Sequence, residues 1–323
     1  MISLRKKECL ASKNAGIKSI GLKKEFKTNY ILYLFLLPAV IWVLVFCYLP
    51  MFGLVFAFIE LDYSKGLFGS SWVGFKNFEY LFATPDAFII TRNTILYNVA
   101  FLLVNTFFSI LIAIGMNELK SKKLKKTYQG IMFIPHFISM VTVGYIVYVF
   151  LSPQYGFINN GILAPLGIPA VEWYSVPKAW PFIIVFISAW QQIGYNSIIY
   201  MAAIAGIDAE LYESALLDGA GKFKQAVYIT LPCIKITVIT LLIMAVGSLF
   251  NSDFGLFYYT TKDVGTLYPT TQVLSTYTYR VLRVLGDIGM SSAAGFYQSI
   301  VGFVLVIIAN TVVKKVESDC AIF

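Results

Sequence analysis

Charge is scarce in this chain: Asp, Glu, Lys and Arg make up 13% of its 323 residues, while 58% are hydrophobic. Soluble domains carry about 25% charged and about 45–50% apolar residues. That contrast excludes the pair of water-soluble domains that length alone would suggest. Histidine is nearly absent, with His136 standing alone. One histidine builds neither a multi-histidine metal site nor a catalytic triad. The four cysteines (Cys9, Cys47, Cys233 and Cys320) are far apart and show no Cys-x-x-Cys spacing, so neither a disulfide framework nor a zinc site is indicated. No Gly-x-x-x-x-Gly-Lys-Ser/Thr run occurs, so the chain has no P-loop of its own. There is no internal repeat and no low-complexity tract.

The apolar residues are gathered into blocks of spanning length. A bilayer core of about 30 Å needs roughly 20 apolar helical residues. Six blocks meet this: Tyr30–Ile59, Ile95–Met116, Ile131–Leu151, Phe182–Ala205, Cys233–Phe250 and Phe296–Val313. The expected fold is therefore an all-α membrane protein with six transmembrane helices. The first block is long enough to bend, and Pro50 gives it a place to do so. Lys235, near the start of the fifth, is placed to snorkel to the interface.

The formal net charge of +8 comes from lysines and arginines that sit on one side of this topology. The stretch before Tyr30 holds Arg5, Lys6, Lys7, Lys13, Lys18, Lys23, Lys24 and Lys27. The second-to-third connection holds Lys120, Lys122, Lys123, Lys125 and Lys126, and Lys314 and Lys315 follow the sixth block. The alternate connections are nearly neutral, with Lys178 alone between Ser152 and Pro181. This places both termini in the cytoplasm and makes the positive charge a mark of orientation, with no nucleic-acid partner. The weak point is Ile207–Leu231, where Lys222 and Lys224 face four acids, but acids count little in this rule. The long basic start, an apolar run of twenty residues or more and no small-residue cleavage site indicate an uncleaved anchor. Residues 1–29 are expected to form a basic cytoplasmic tail, either a solvated arm or a helix lying against anionic lipid, with 30–315 the membrane domain, including the cytoplasmic segment 207–232, and 316–323 a short cytoplasmic tail.

Three connections have structure of their own. In Ser71–Phe82, Phe75, Phe78 and Phe82 recur at helical spacing, which predicts a short amphipathic helix at the membrane surface. Ser152–Pro181 is rich in Pro, Gly, Trp and Tyr and reads as a folded cap. The longest connection, Asn251–Gly295, contains helical potential from Thr270 to Leu285.

The segment 207–232 is the most informative. It is too polar to span and too patterned to be an idle loop. Asp208 suits a helix N-cap, and Glu210 and Glu213 suit the positive end of the helix dipole. Gly219-Ala220-Gly221 breaks that helix, since glycine accepts the positive φ of a tight turn. Lys222–Ile229 has the length of a second short helix, and Leu231-Pro232 opens the fifth span, where proline costs no helical bond. On residues alone this is a cytoplasmic docking element or an amphipathic connector.

The order Glu213-Ser214-Ala215, then Asp218-Gly219-Ala220, then Ile229-x-Leu231-Pro232 resembles the EAA motif of type I ATP-binding-cassette importer permeases, which have the MetI-like fold. The chain departs from the pattern at Ser214, where alanine is usual, and at Gly221. The stretches VGFKNFEYLF, RNTILYNV, LFNSDFGLFYYTT and SSAAGFYQSIVGFVLVIIANTVVKK resemble the carbohydrate branch, especially LplB-like permeases of the polysaccharide-transport group. The resemblance covers roughly residues 30 to 315. It implies that 207–232 is the coupling helix that enters a groove on a separate ATPase. Glu213, Ala215, Asp218, Gly219 and Pro232 are then the ATPase-coupling residues: Glu213 pairs with basic groups on the ATPase, Gly219 gives the turn, and Pro232 seats the fifth span. It further implies a second permease subunit, two cytoplasmic ATPase subunits that use ATP and Mg, an extracytoplasmic solute-binding protein, and a bacterial plasma-membrane location. The chain itself is then a transporter subunit, needs no cofactor, and imports oligosaccharides or polysaccharide fragments; another solute, such as an amino acid or peptide, is compatible with the motif.

Polar residues within the blocks mark a candidate pathway. Trp190, Gln191, Gln192, Tyr195 and Asn196 lie in the fourth, and Asn251 and Asp253 end the fifth. Amides offer donors and acceptors to sugar hydroxyls, and the aromatics offer stacking faces. Interhelical bonding is the competing role, and it weighs more heavily for Asn98 and Asn105 in the second block. His136 beside Pro135 reads as structural more readily than as a proton relay. The six blocks contain no Asp or Glu, which counts against an ion-coupled carrier. A nucleophile with a base, or a metal cluster, is missing at membrane depth, which counts against an intramembrane enzyme.

Overall fold

A chain in hydrocarbon has to satisfy its own N–H and C=O groups, so the apolar blocks are helical. The computed structural model describes residues 27–247 and 249–316. The basic arm expected before Tyr30 lies outside them up to residue 26, and the C-terminal tail does so from residue 317. Among the described residues, five helical stretches are long and apolar enough to cross a bilayer, and a bent pair makes six if it is taken as one span.

The chain divides into two units, residues 1–54 and 55–323. In the first, helix α1 (Tyr30–Val43) contains Pro38. It runs into a π-turn over Leu44–Tyr48 and then a 3-10 stretch over Leu49–Phe58. Pro50 thus changes the helix type: its ring would meet the Phe46 carbonyl in a regular α-helix, and the wider π-turn makes room.

In the second unit, β1 (Ile59–Glu60) pairs antiparallel with β2 (Ser71–Trp72), Ile59 opposite Trp72. The expected aromatic helix is α2 (Lys76–Ala83). Its buried Asn77 donates to the carbonyls of Ala57 at 3.0 Å and Ile59 at 3.1 Å. The second span is α3 (Asp86–Asn117), which starts well before Ile95.

The third block is not one straight span. Helix α4 (Lys122–Phe133) passes into a 3-10 turn, Ile134–Phe137. Helix α5 (Met140–Leu151) then leaves at 97° to it. Pro135 lacks the N–H that would continue α4, Ile138 is extended, and Ser139 caps α5 by accepting from the Thr142 N–H at 3.3 Å.

The fourth span is α6 (Trp180–Ala205). It packs along α3 and approaches α4 so closely that a β-carbon at Gly194 would collide with the Met132 carbonyl. A short helix, α7 (Ala209–Leu217), follows. Next come α8 (Lys222–Gln225), a π-turn over Ala226–Thr230, and α9 (Leu231–Val246). These last three form one helical stretch, Lys222–Val246. Pro232 therefore does not open a separate helix; the π-turn before it accommodates its ring inside a continuous one. The fifth span ends at Val246, short of Phe250.

Helices α10 (Phe254–Thr261) and α11 (Leu274–Arg280) fold the long connection, and α12 (Ile288–Val316) forms the sixth span, beginning before Phe296. The core lies in three clusters. One joins Tyr97, Val143, Trp180, Ile184 and Phe257 beside the expected cap. A second joins Leu81, Ile90, Phe250, Leu274 and Ala294. The third joins Ala113, Met116, Tyr200, Ile204 and Ile234 above the 207–232 segment. The cap itself turns on buried Asn159, which donates to the Val171 carbonyl at 2.9 Å and accepts from the Trp173 indole at 3.0 Å. Burial raises the Tyr174 hydroxyl pKa in this cap well above its ordinary value.

Candidate functional site

The 207–232 segment is built by local hydrogen bonds. Asp208 caps α7, its carboxylate accepting from the Glu210 N–H at 3.0 Å. The far end closes on Gly219, at φ +75°. There the Gly219 N–H donates to Leu216 at 3.1 Å and the Ala220 N–H to Ala215 at 2.8 Å. That pair of bonds is a complete Schellman closure, with Asp218 at the C-cap. Ala215, expected as a coupling residue, is thus the acceptor that shapes the turn.

Three further contacts lock the turn to the membrane helices. Buried Gln225 donates to the Ala220 carbonyl at 2.9 Å. The hydroxyls of Tyr212 and Thr230 meet at 2.9 Å. Lys222 pairs with Glu118, the C-cap of α3, at 2.9 Å. An exposed ion pair of this kind contributes at most about 1 kcal/mol, so the buried amide and the Schellman bonds set the shape. The outer face is apolar and bare: Leu217 is 90% exposed and Phe223 81%. Glu213 is exposed and its carboxylate has no partner among the described residues. Pro232 is the second residue of α9, just past the π-turn of the continuous stretch.

The proposed pathway residues separate. Gln191 is buried and donates to the Ile138 carbonyl at 3.1 Å, which is the group freed where the third span breaks. Its Oε1 has no partner among the described residues. Tyr195 stacks on His136 at 4.2 Å, with rings within 9° of parallel, and on Phe133 at 5.8 Å. His136 is thereby a stacking partner at the break. Trp190 stands between two apolar grooves, one of about 910 Å³ shared with α3 and one of about 600 Å³ shared with α5. Gln192 is half-buried. Asp253 caps α10 by accepting from the Leu256 N–H at 3.1 Å, and Asn251 accepts from Gln298 at 3.3 Å.

Of the proposed pathway residues, Asn196 lines a polar cavity. It shares a space of about 240 Å³ with Asn98, Asn105, Thr106 and Tyr200, closed on one side by Leu241, Ala245 and Leu249. The Oδ1 of Asn105 is buried there with no partner among the described residues. A buried carbonyl oxygen without a donor is costly, and a ligand hydroxyl would satisfy it. Asn98 and Asn105, for which interhelical bonding weighed more heavily in the sequence, line this same cavity. Asn98, Asn105 and Asn196 converge across two helices that the sequence does not pair.

Residues 105–318 match the family model described as "Binding-protein-dependent transport system inner membrane component". The chain is 34% identical to Protein LplB of Bacillus subtilis (strain 168) over 302 residues, 94% of each chain. It is 35% identical to the polygalacturonan/rhamnogalacturonan transport system permease protein YteP of the same organism over 289 residues, 88% of each. Its fold superposes on a chain of a crystal structure of a bacterial ABC transporter involved in the import of the acidic polysaccharide alginate. That match has a TM-score of 0.83 and 35% identity, covering 92% of this chain and 99% of that one.

Proposed function

The chain belongs to the family of binding-protein-dependent transport system inner membrane components, integral-membrane permease subunits of ATP-binding-cassette importers and not enzymes, and from that premise we propose that it passes oligosaccharides or polysaccharide fragments. The relatives named for polygalacturonan/rhamnogalacturonan and alginate support this cargo class. So does the amide-lined cavity of Asn98, Asn105 and Asn196.

The observation that carries the mechanism is the exposed, locally hydrogen-bonded 207–232 segment, continuous with the fifth span from Lys222. In this reading Leu217 and Phe223 enter a groove on a cytoplasmic ATPase, and the Glu213 carboxylate meets basic groups at its rim. Gly219 sets the angle between α7 and α8. Closure of two ATPase subunits on ATP and Mg moves the segment, and the continuous Lys222–Val246 stretch carries that movement to the cavity wall at Leu241 and Ala245. A second permease supplies the other half of the pathway. A solute-binding protein delivers cargo from outside; a related alginate transporter has been crystallised in complex with alginate pentasaccharide-bound periplasmic protein. Both termini lie in the cytoplasm of a bacterial plasma membrane.

The test is reconstitution. The purified chain should show no ATP hydrolysis, and addition of the ATPase, second permease and binding protein should give ATP-dependent uptake of oligosaccharide into vesicles. Hydrolysis by the chain alone, or uptake of amino acids in place of saccharides, would overturn the reading.

A further inference from the structure

A second polar site lies at the other end of the membrane domain, below the folded cap. The turn that ends α10 places two successive non-glycine residues in the left-handed region, Lys262 at φ 55° and Asp263 at φ 51°. That conformation is uncommon for non-glycine residues. Here it turns the two side chains to different partners. The Asp263 carboxylate is taken by Arg280 at 2.7 Å, both side chains being largely buried. The Arg280 guanidinium lies over the Tyr268 ring, 3.6 Å from its centre, and the Tyr268 hydroxyl donates to the Asp263 carbonyl at 3.0 Å. The neighbouring acid is therefore already neutralised.

Lys262 is left without a carboxylate among the described residues. Its ammonium lies 3.2 Å from the centre of the Tyr148 ring. It also lines a cavity of about 220 Å³ with Tyr145, Tyr258, Tyr259, Val141 and Gly144. Tyr145 is 66% exposed, and its hydroxyl has no partner among the described residues. The cap stands directly over this turn: the Tyr174 hydroxyl donates to the Thr260 carbonyl at 3.2 Å, and Thr266 donates to the Tyr174 carbonyl at 2.8 Å.

Each part answers one part of a single ligand class. An ammonium freed from its neighbouring acid takes an anion. Tyrosine rings take the C–H faces of a pyranose, and tyrosine hydroxyls bond its hydroxyls. The cavity matches one sugar residue in scale. We infer that Lys262, with Tyr145, Tyr148 and Tyr259, forms a subsite for the carboxylate of an acidic saccharide residue at the outer mouth of the pathway. This rests on the saccharide-import reading and narrows it to uronate-bearing cargo.

The test uses the complete reconstituted transporter, with trigalacturonic acid and its trimethyl ester as paired probes. Both carry the same ring hydroxyls, and only the first carries charge. Wild type should take up the acid in preference to the ester. Lys262→Gln should lower uptake of the acid about tenfold more than that of the ester, because one charge-assisted contact is lost. Lys262→Arg should restore most of the difference. Equal loss on both probes, or no loss on either, would overturn the subsite. Failure of K262Q to assemble with the other subunits, with rescue by arginine, would also overturn it and assign the lysine to a subunit interface. Wild-type uptake of neutral saccharides alone would remove this inference and leave the import reading standing, whereas uptake of no saccharide would remove both.

Discussion

The 207–232 segment and the amide cavity are both polar islands in an apolar chain, yet they are held together in opposite ways. The segment is shaped by contacts within about a dozen residues: Asp208 to Glu210, Ala220 to Ala215, Gln225 to Ala220. The cavity exists only because α3, α6 and α9 meet, bringing Asn98 and Asn105 to Asn196. Local bonding suits the proposed coupling role, since such a surface does not depend on the helices beneath it for its shape. Tertiary assembly suits the proposed pathway role, since the chamber is defined by where those helices stand.

That contrast is open to attack by mutation. The largest effect is expected at Gly219. Tryptophan there adds bulk at the docking face and a left-handed penalty of about 1–2 kcal/mol, although a β-carbon itself meets open space. Gly219→Trp should abolish uptake while leaving membrane insertion intact, measured by vesicle uptake beside expression level; wild-type uptake would remove the coupling role. Phe223→Asp should come next. The ring is exposed and supports no core, so stability should hold, while co-purification of the ATPase falls by about tenfold or more for loss of a contact of roughly 2 kcal/mol.

A pair on the fourth span sharpens the comparison further. Gln191→Leu strands the Ile138 carbonyl and should cost about 1–3 kcal/mol of stability, read as a lower melting temperature. Asn196→Leu should leave melting unchanged and raise the KM for saccharide several-fold. The reverse pattern would place the pathway at Gln191. The smallest effect is expected at Asp208→Ala. Loss of the cap should cost about 0.5–2 kcal/mol locally, seen as faster hydrogen exchange in α7 with uptake reduced and not abolished.

The same local-versus-tertiary division decides what the sequence reveals. Asp208 and Gly219 are legible because a cap and a positive-φ turn each depend on near neighbours. The break at Ile138 is less legible. Pro135 announces a disturbance, but its depth depends on Gln191, some fifty residues away, accepting the task of satisfying a freed carbonyl. The run from Trp190 to Asn196 reads as one polar cluster, yet the helical turn sends Gln191 and Tyr195 to the break, Trp190 to apolar grooves and Asn196 to the cavity. Proximity in sequence is not proximity in space on a helix, where neighbours point about 100° apart. The Lys262 turn was missed for a related reason. Only the pairing of Asp263 with Arg280 shows that the neighbouring acid is not the lysine's partner and that its ammonium rests on the Tyr148 ring instead.

The central claim is that the 207–232 surface faces the cytoplasm and is covered there by an ATPase. It is tested most directly by a cysteine at Lys224, placed in a chain whose own four cysteines have been replaced, and probed with a membrane-impermeant maleimide. The account predicts no labelling in intact cells, labelling in inverted vesicles stripped of the ATPase, and protection when the ATPase is restored. Labelling in intact cells would contradict it.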